Sequence, residues 1–140
     1  MLKLLYQSLR ALEKESLPNR LVRCVFELKS MVINGEYPDV FSCMDCKKEE
    51  NLSWLDVKRG GMYCVSCKKD HSAIHVEPSV LYTLQYIITS TIEKLYTFTV
   101  SEEVLFALER ILKECRKRYM DKTFKSLQVL EENQGFADFL

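Results

Sequence analysis

The sequence predicts a mainly α-helical fold: a helical bundle with an inserted four-cysteine ribbon that carries a short β-hairpin. Three observations lead there. Apolar residues recur at helical spacing in both the first and the last third of the chain. Between them, where that period is lost, four of the six cysteines fall into two C-x2-C pairs. Only four glycines and three prolines are present, too few for an all-β sandwich with a turn about every ten residues. The expected organisation is a helical part over 1–40, a ribbon insert over 41–76, and a second helical part with a C-terminal tail over 77–140.

The first helix is expected over residues 2–14, where Leu2, Leu5, Leu9 and Leu12 line one side. Ser16 and Pro18 mark its end and the start of the next helix. There Leu21, Val25, Leu28 and Val32 form a stripe that Val22, Cys24, Phe26 and Met31 widen, which predicts a well-buried helix. Asn34-Gly35 stops it, because glycine enters the left-handed conformation cheaply. Pro78 opens a third helix with Val80, Leu81, Leu84, Ile87 and Ile88 on one side and Tyr82 and Tyr86 on its flanks. Residues 90–98 read as a short helix and a turn. Thr99, with Glu102 three residues on, or Ser101 caps the last long helix. At about 100° per residue, Val104, Leu108, Ile111, Leu112, Cys115 and Tyr119 share one side, and Arg110, Lys113 and Lys117 take the other.

The ribbon has its own logic. Cys43-x-x-Cys46 and Cys64-x-x-Cys67 are separated by seventeen residues. Each C-x2-C turn aims two sulfurs at one point, and two such turns complete a tetrahedron about a zinc ion at about 2.3 Å. The intervening chain must leave and return. Leu52–Val57 alternates like a strand, Lys58-Arg59-Gly60-Gly61 supplies a turn, and Met62-Tyr63-Cys64 comes back. Lysines follow each pair, at 47–48 and 68–69, and offset the net charge of −2 that four thiolates and one Zn2+ carry. One structural zinc held by Cys43, Cys46, Cys64 and Cys67 is the expectation. His71 and His75 read as surface or packing residues, since four cysteines already complete the shell. Cys24 and Cys115, on apolar helix faces, read as core.

A shell closed by four cysteines leaves no position for substrate. The H-x-E with P-C-x-x-C pattern of the zinc deaminases, a phosphate-cradling glycine loop, GxSxG and HExxH are all missing. The expectation is therefore a protein that is not an enzyme. Met1–Leu12 and Val80–Ile88 are too short and too interrupted for a signal peptide or a spanning helix, so a cytoplasmic protein without a membrane role is expected. Six cysteines there are thiols or ligands rather than disulfides.

Twenty basic and twenty acidic residues cancel, which excludes a uniformly basic nucleic-acid-wrapping protein but leaves room for a basic face. From Arg110 to Lys125 stand seven basic and two acidic residues, a local excess of five positive charges. The tail after Leu130 carries Glu131, Glu132 and Asp138. Arg110, Lys113, Arg116, Lys117, Lys122 and Lys125, with Lys58 and Arg59 at the hairpin tip, are candidate contacts to phosphates or to an acidic partner.

The order of these features resembles the C-terminal region of the RecO family. The string Cys24-Val-Phe-Glu-Leu-Lys-Ser-Met-Val-Ile-Asn-Gly-Glu-Tyr-Pro-Asp39 is followed by Cys43-x-x-Cys46 and then by Gly60-Gly61-Met-Tyr-Cys64-x-x-Cys67. Leu84-Gln-Tyr-Ile-Ile-Thr-Ser90, Glu93-Lys94-Leu95, Ser101-Glu102-Glu103, Lys125-Ser126-Leu127 and Leu130 continue it. The resemblance implies a bacterial recombination and repair mediator, cytoplasmic and nucleoid-associated during repair. Such a protein binds single- and double-stranded DNA, anneals strands and, with RecR, assists RecA loading on strands coated by single-strand-binding protein. It also implies docking of that protein's acidic C-terminal tail and a structural zinc. The family's N-terminal OB-fold domain has no counterpart in this sequence, so weaker DNA binding is expected. The alternative is a zinc-ribbon helical scaffold that binds only protein partners.

Overall fold

A computed structural model describes residues 2–14, 16–67 and 73–120. Lys68, Lys69, His71, Lys122, Lys125 and the acidic tail lie outside the described residues. The order is α1 (Leu2–Leu12), α2 (Asn19–Ile33), β1 (Leu52–Asp56), β2 (Gly61–Cys64), β3 (Ile74–His75), α3 (Pro78–Thr89), a 3-10 turn (Ile92–Lys94), α4 (Glu102–Cys115) and a π-helical turn (Arg116–Met120). It is mainly helical, with a small antiparallel sheet and a four-cysteine cluster, as the patterning predicts.

Helix α2 is the hub, packing on α1, α3 and α4. It buries Leu21, Val22, Cys24, Val25, Phe26, Leu28 and Met31, the predicted stripe and its widening except for Val32, which is half-buried. Enclosure on several sides also buries three polar residues that its apolar pattern does not announce. Ser30 donates to the Phe26 carbonyl at 2.7 Å. Glu27 accepts from Arg23 and from Arg116 in the π-helical turn after α4, at 3.1 and 2.8 Å. Lys29 sends its ammonium into the C-terminus of α3, donating to the carbonyls of Ile87, Ile88 and Ser90 at 3.3, 3.0 and 2.6 Å. A helix end presents carbonyls with no intrahelical partner and partial negative charge, so a buried cation is stable there.

The helix ends follow local chemistry. Helix α1 stops at Leu12, short of the expected residue 14, because Glu13 and Lys14 close with tighter bonds to the carbonyls of Arg10 and Ala11. Its buried side is Leu4, Ser8 and Ala11, not the predicted line of Leu2, Leu5, Leu9 and Leu12: Leu2 and Leu9 are exposed, and Ser8 enters the core because its hydroxyl bonds the Leu4 carbonyl and the Tyr96 hydroxyl. Pro78 stands at the N-terminus of α3 and Gly35, at φ +74°, follows α2. Ser101 rather than Thr99 caps α4, its oxygen accepting from the Val104 N–H at 3.3 Å. The predicted α4 stripe is buried at Leu108, Ile111, Leu112 and Cys115, and Leu105 joins it. Tyr82 lies in solvent at 68 % exposure instead of adding to the apolar flank of α3.

The sheet has strand order β2-β1-β3, both pairs antiparallel. The β1–β2 hairpin follows the predicted course, with an irregularity between Leu52 and Trp54. The two-residue β3, too short to announce itself by alternation, adds Ile74 opposite Leu55 and His75 opposite Trp54. Leu55, Met62 and Cys43 are fully buried and belong to the same apolar cluster as Leu21, Ile87 and Leu108. The ribbon therefore shares the core of the bundle. Among the described residues no helix is long and apolar enough to cross a membrane.

Candidate metal centre and basic face

The two cysteine knuckles are built on backbone hydrogen bonds. Cys43 enters as a parallel bridge beside Met62, and the next N–H, of Met44, donates to the Met62 carbonyl at 2.9 Å. Its own N–H donates to the Lys48 carbonyl at 2.8 Å, and its carbonyl accepts from the Lys47 N–H at 3.0 Å. Lys47 closes this turn at φ +65°. In the second knuckle the Cys67 N–H donates to the Cys64 carbonyl at 3.1 Å. The Val65 N–H reaches back to the carbonyl of Asn51, itself at φ +57°. Gly61 lets the knuckles approach, because a Cβ there would stand 2.5 Å from Met44 Cγ and Sδ.

These turns gather the four sulfurs of Cys43, Cys46, Cys64 and Cys67 within 4.8 Å of one another. The Cys46 and Cys64 sulfurs are 3.7 Å apart. Metal–sulfur bonds of about 2.3 Å in a tetrahedron require sulfur–sulfur edges of about 3.8 Å. The cluster thus has the dimensions of a four-thiolate site and can hold a metal ion. Cys43 and Cys64 are buried, Cys67 is half-buried and Cys46 is exposed, so the inner half of the site is part of the core.

The thiols are unlike one another. Burial raises Cys43, but N–H groups of Cys46, Cys64 and Asp45 aimed at its sulfur outweigh that and bring it to about 6. The Cys64 N–H stands 3.4 Å from that sulfur. Cys67, hydrogen-bonded to Cys64, further raised by burial and facing the Cys43 charge, is pushed up to about 12. One thiolate discourages the next, and a divalent cation removes that conflict. Cys24 and Cys115 behave as core: burial pushes both up to about 12. His75 packs edge-on against Trp54 at 4.9 Å and lies outside the sulfur cluster.

The basic candidates divide in three. Arg110, Lys113 and Lys58 are exposed, and none of them pairs with an acidic group among the described residues. Lys117 is exposed but lies 3.4 Å from Glu114. Arg116 is committed to the buried Glu27, and Arg59 donates to the Tyr63 hydroxyl at 3.1 Å and faces Asp56 at 3.6 Å. Lys58 from the hairpin and Arg110 from α4, 52 positions apart in the sequence, line one cavity of about 360 Å3 together with Asp56, Val57, Ile74 and Glu114. Sequence reasoning missed Asp56 and Glu114. An aspartate two residues ahead of the Lys58-Arg59-Gly60-Gly61 turn was a usable signal, since aspartate opens such turns by accepting from the backbone, as Asp56 does from Arg59 at 3.1 Å. Arg118, over the Tyr119 ring at 5.7 Å, extends the basic surface.

Comparison with known proteins places these features. The family described as "Recombination protein O C terminal" matches residues 1–128. A DNA repair protein RecO of Alkaliphilus metalliredigens is 26 % identical over 132 residues, 92 % of this chain and 54 % of the relative. That of Halalkalibacterium halodurans is 26 % identical over 139 residues, 97 % and 54 %. That of Bacillus subtilis is 21 % identical over 135 residues, 96 % and 52 %. The chain spans about half the length of the curated relatives it matches.

Proposed function

The chain belongs to the RecO family, through the C-terminal region of that recombination and DNA repair protein, and on this premise we propose that it acts as a non-enzymatic mediator module. In this reading it assists single-strand annealing and RecA loading, together with RecR, on strands coated by single-strand-binding protein, in the bacterial cytoplasm. The observation that carries the reading is the family match across 128 of 140 residues. The exposed cations Lys58, Arg110, Lys113 and Lys117 supply a face for phosphates or for the acidic tail of single-strand-binding protein.

Cys43, Cys46, Cys64 and Cys67 hold one structural zinc in this reading, which the sulfur spacing supports. Bound there, the ion cross-links the two knuckles and fixes the hairpin tip, with Lys58 and Arg59, against α4. The residues 41–76 then form a stiff insert between the two helical parts. Metal analysis of the purified chain is expected to give one zinc per chain, and reduced protein without metal would reject the site.

One observation favours the alternative of a scaffold that binds only protein. Arg116, Arg20 and Arg23 are paired with carboxylates of the chain itself, which thins the free positive surface. Salt dependence separates the two. Binding of single strands that weakens steeply between low and physiological salt supports the mediator reading. No binding even at low salt leaves the scaffold.

A further inference from the structure

We propose that the cavity between the hairpin turn and α4 is a pocket for one unstacked nucleotide, and that it favours bases bearing an amino group. This rests on the reading of the chain as a DNA-binding module and goes beyond it, because a basic face alone carries no base preference.

The cavity has a volume of about 360 Å3, within the range of small-ligand sites. Its walls divide by chemistry. Val57 and Ile74 are apolar and suit the face of a base. Lys58 and Arg110 are exposed cations lining the same cavity, without an acidic partner among the described residues, and suit a phosphate. Asp56 is only 2 % exposed, and its two oxygens differ. Oδ1 accepts from the Arg59 N–H at 3.1 Å, whereas Oδ2 is buried with no hydrogen-bond partner. Arg59 Nη1 stands 3.6 Å from Oδ2, close enough to balance its charge but beyond hydrogen-bond distance. A buried acceptor without a donor is costly, and a small rotation toward the cavity would let an incoming N–H satisfy it. Glu114 adds a second carboxylate to the wall.

A ligand matching this set carries an anion at one end, a flat apolar face, and a hydrogen-bond donor at the other end. A simple anion meets the two carboxylates, and a simple cation meets Lys58 and Arg110. A nucleotide whose base has an exocyclic amino group meets all three demands. Carboxylates accept from the amino group of cytosine, while thymine offers a carbonyl oxygen at the same place.

The test is fluorescence anisotropy of the full chain with labelled oligo(dC) and oligo(dT) of equal length at fixed low salt. Oligo(dC) is expected to bind about fivefold tighter, the worth of one net hydrogen bond. Asp56→Asn keeps an acceptor for the Arg59 N–H and turns the other position into a donor, so the preference is expected to vanish or reverse toward oligo(dT). Ile74→Trp fills the cavity and is expected to equalise the two strands even where Asp56→Asn fails to fold. Lys58→Ala with Arg110→Ala is expected to weaken both strands alike. Equal binding of both strands by the wild-type chain overturns the pocket and leaves the DNA reading standing. Binding of neither strand, or of an acidic peptide in competition at this cavity instead, overturns both.

Discussion

The bundle and the ribbon are held together by different physics, although they share one core. In the bundle, α2 and α4 bury most of their apolar stripes, with side chains such as Leu21, Leu28, Leu108 and Leu112. In the ribbon the strands are only five, four and two residues long, although β2 is buried at every position and β1 at three. What they add is a convergence of four sulfurs and a set of backbone bonds around Cys43 and Cys64. A bundle of this kind should tolerate loss of any one contact at a graded cost. A ribbon whose order depends on ligands bound together should fail as a unit.

The largest effect is expected from breaking the ribbon at its buried ligand. Cys64→Ser removes one of the two core-facing sulfurs. Metal content should fall to near zero, and the hairpin should lose protection from hydrogen exchange. In small zinc domains metal binding supplies on the order of 10 kcal/mol of folding free energy. Atomic absorption and exchange on the same sample check this.

Next comes a break confined to the bundle. Leu108 is fully buried on α4, and Leu108→Ala should cost about 3 kcal/mol of stability by denaturant titration while metal content stays unchanged. Loss of metal in parallel would show that the two regions do not separate. A somewhat smaller loss, about 2 kcal/mol, is expected for Lys29→Met, which leaves the Ile87, Ile88 and Ser90 carbonyls without their cation. Exchange should then quicken at the C-terminal turn of α3 before it does in α2.

The smallest effect concerns the surface link between α2 and α4. Arg20 donates to Glu102 and Glu109, and its hydrogen bond to Glu109 holds that carboxyl below the usual carboxylate range. The folded state therefore gains from the ionised carboxylate above the ordinary carboxylate pKa. That gain disappears as pH falls through the lowered folded-state value. Arg20→Ala should lower Tm slightly at pH 7, not at all at pH 2, and less in high salt, because the pair is exposed.

The difference between the regions also governs what could be read in advance. The stripes of α2 and α4 were legible because periodicity is a local property, and the knuckles were legible because C-x2-C spacing is chemical. The buried side of α1 was not, since it is Leu4, Ser8 and Ala11 rather than Leu2 and Leu9, and Ser8 is buried through its hydroxyl contact with the remote Tyr96. The hairpin was legible from the Lys58–Gly61 turn between the alternating run Leu52–Val57 and the return through Met62-Tyr63-Cys64. Strand β3 was not, since two residues carry no period. Buried Lys29 and Glu27 were not, because their partners at 87–90 and 116 are remote in sequence and exist only once the helices pack. The same remoteness hid the cavity shared by Lys58 and Arg110, and it turned Arg116 from a candidate contact into an internal ion pair.

The central claim is that a metal ion on four thiolates organises the ribbon while the bundle stands on its apolar core. Hydrogen exchange with mass spectrometry, on the same protein before and after chelation under reducing conditions, tests it most directly. The account predicts fast exchange across 41–67 after chelation, with α2 and α4 still protected. Unchanged protection of 41–67, or simultaneous loss across α2 and α4, would contradict it.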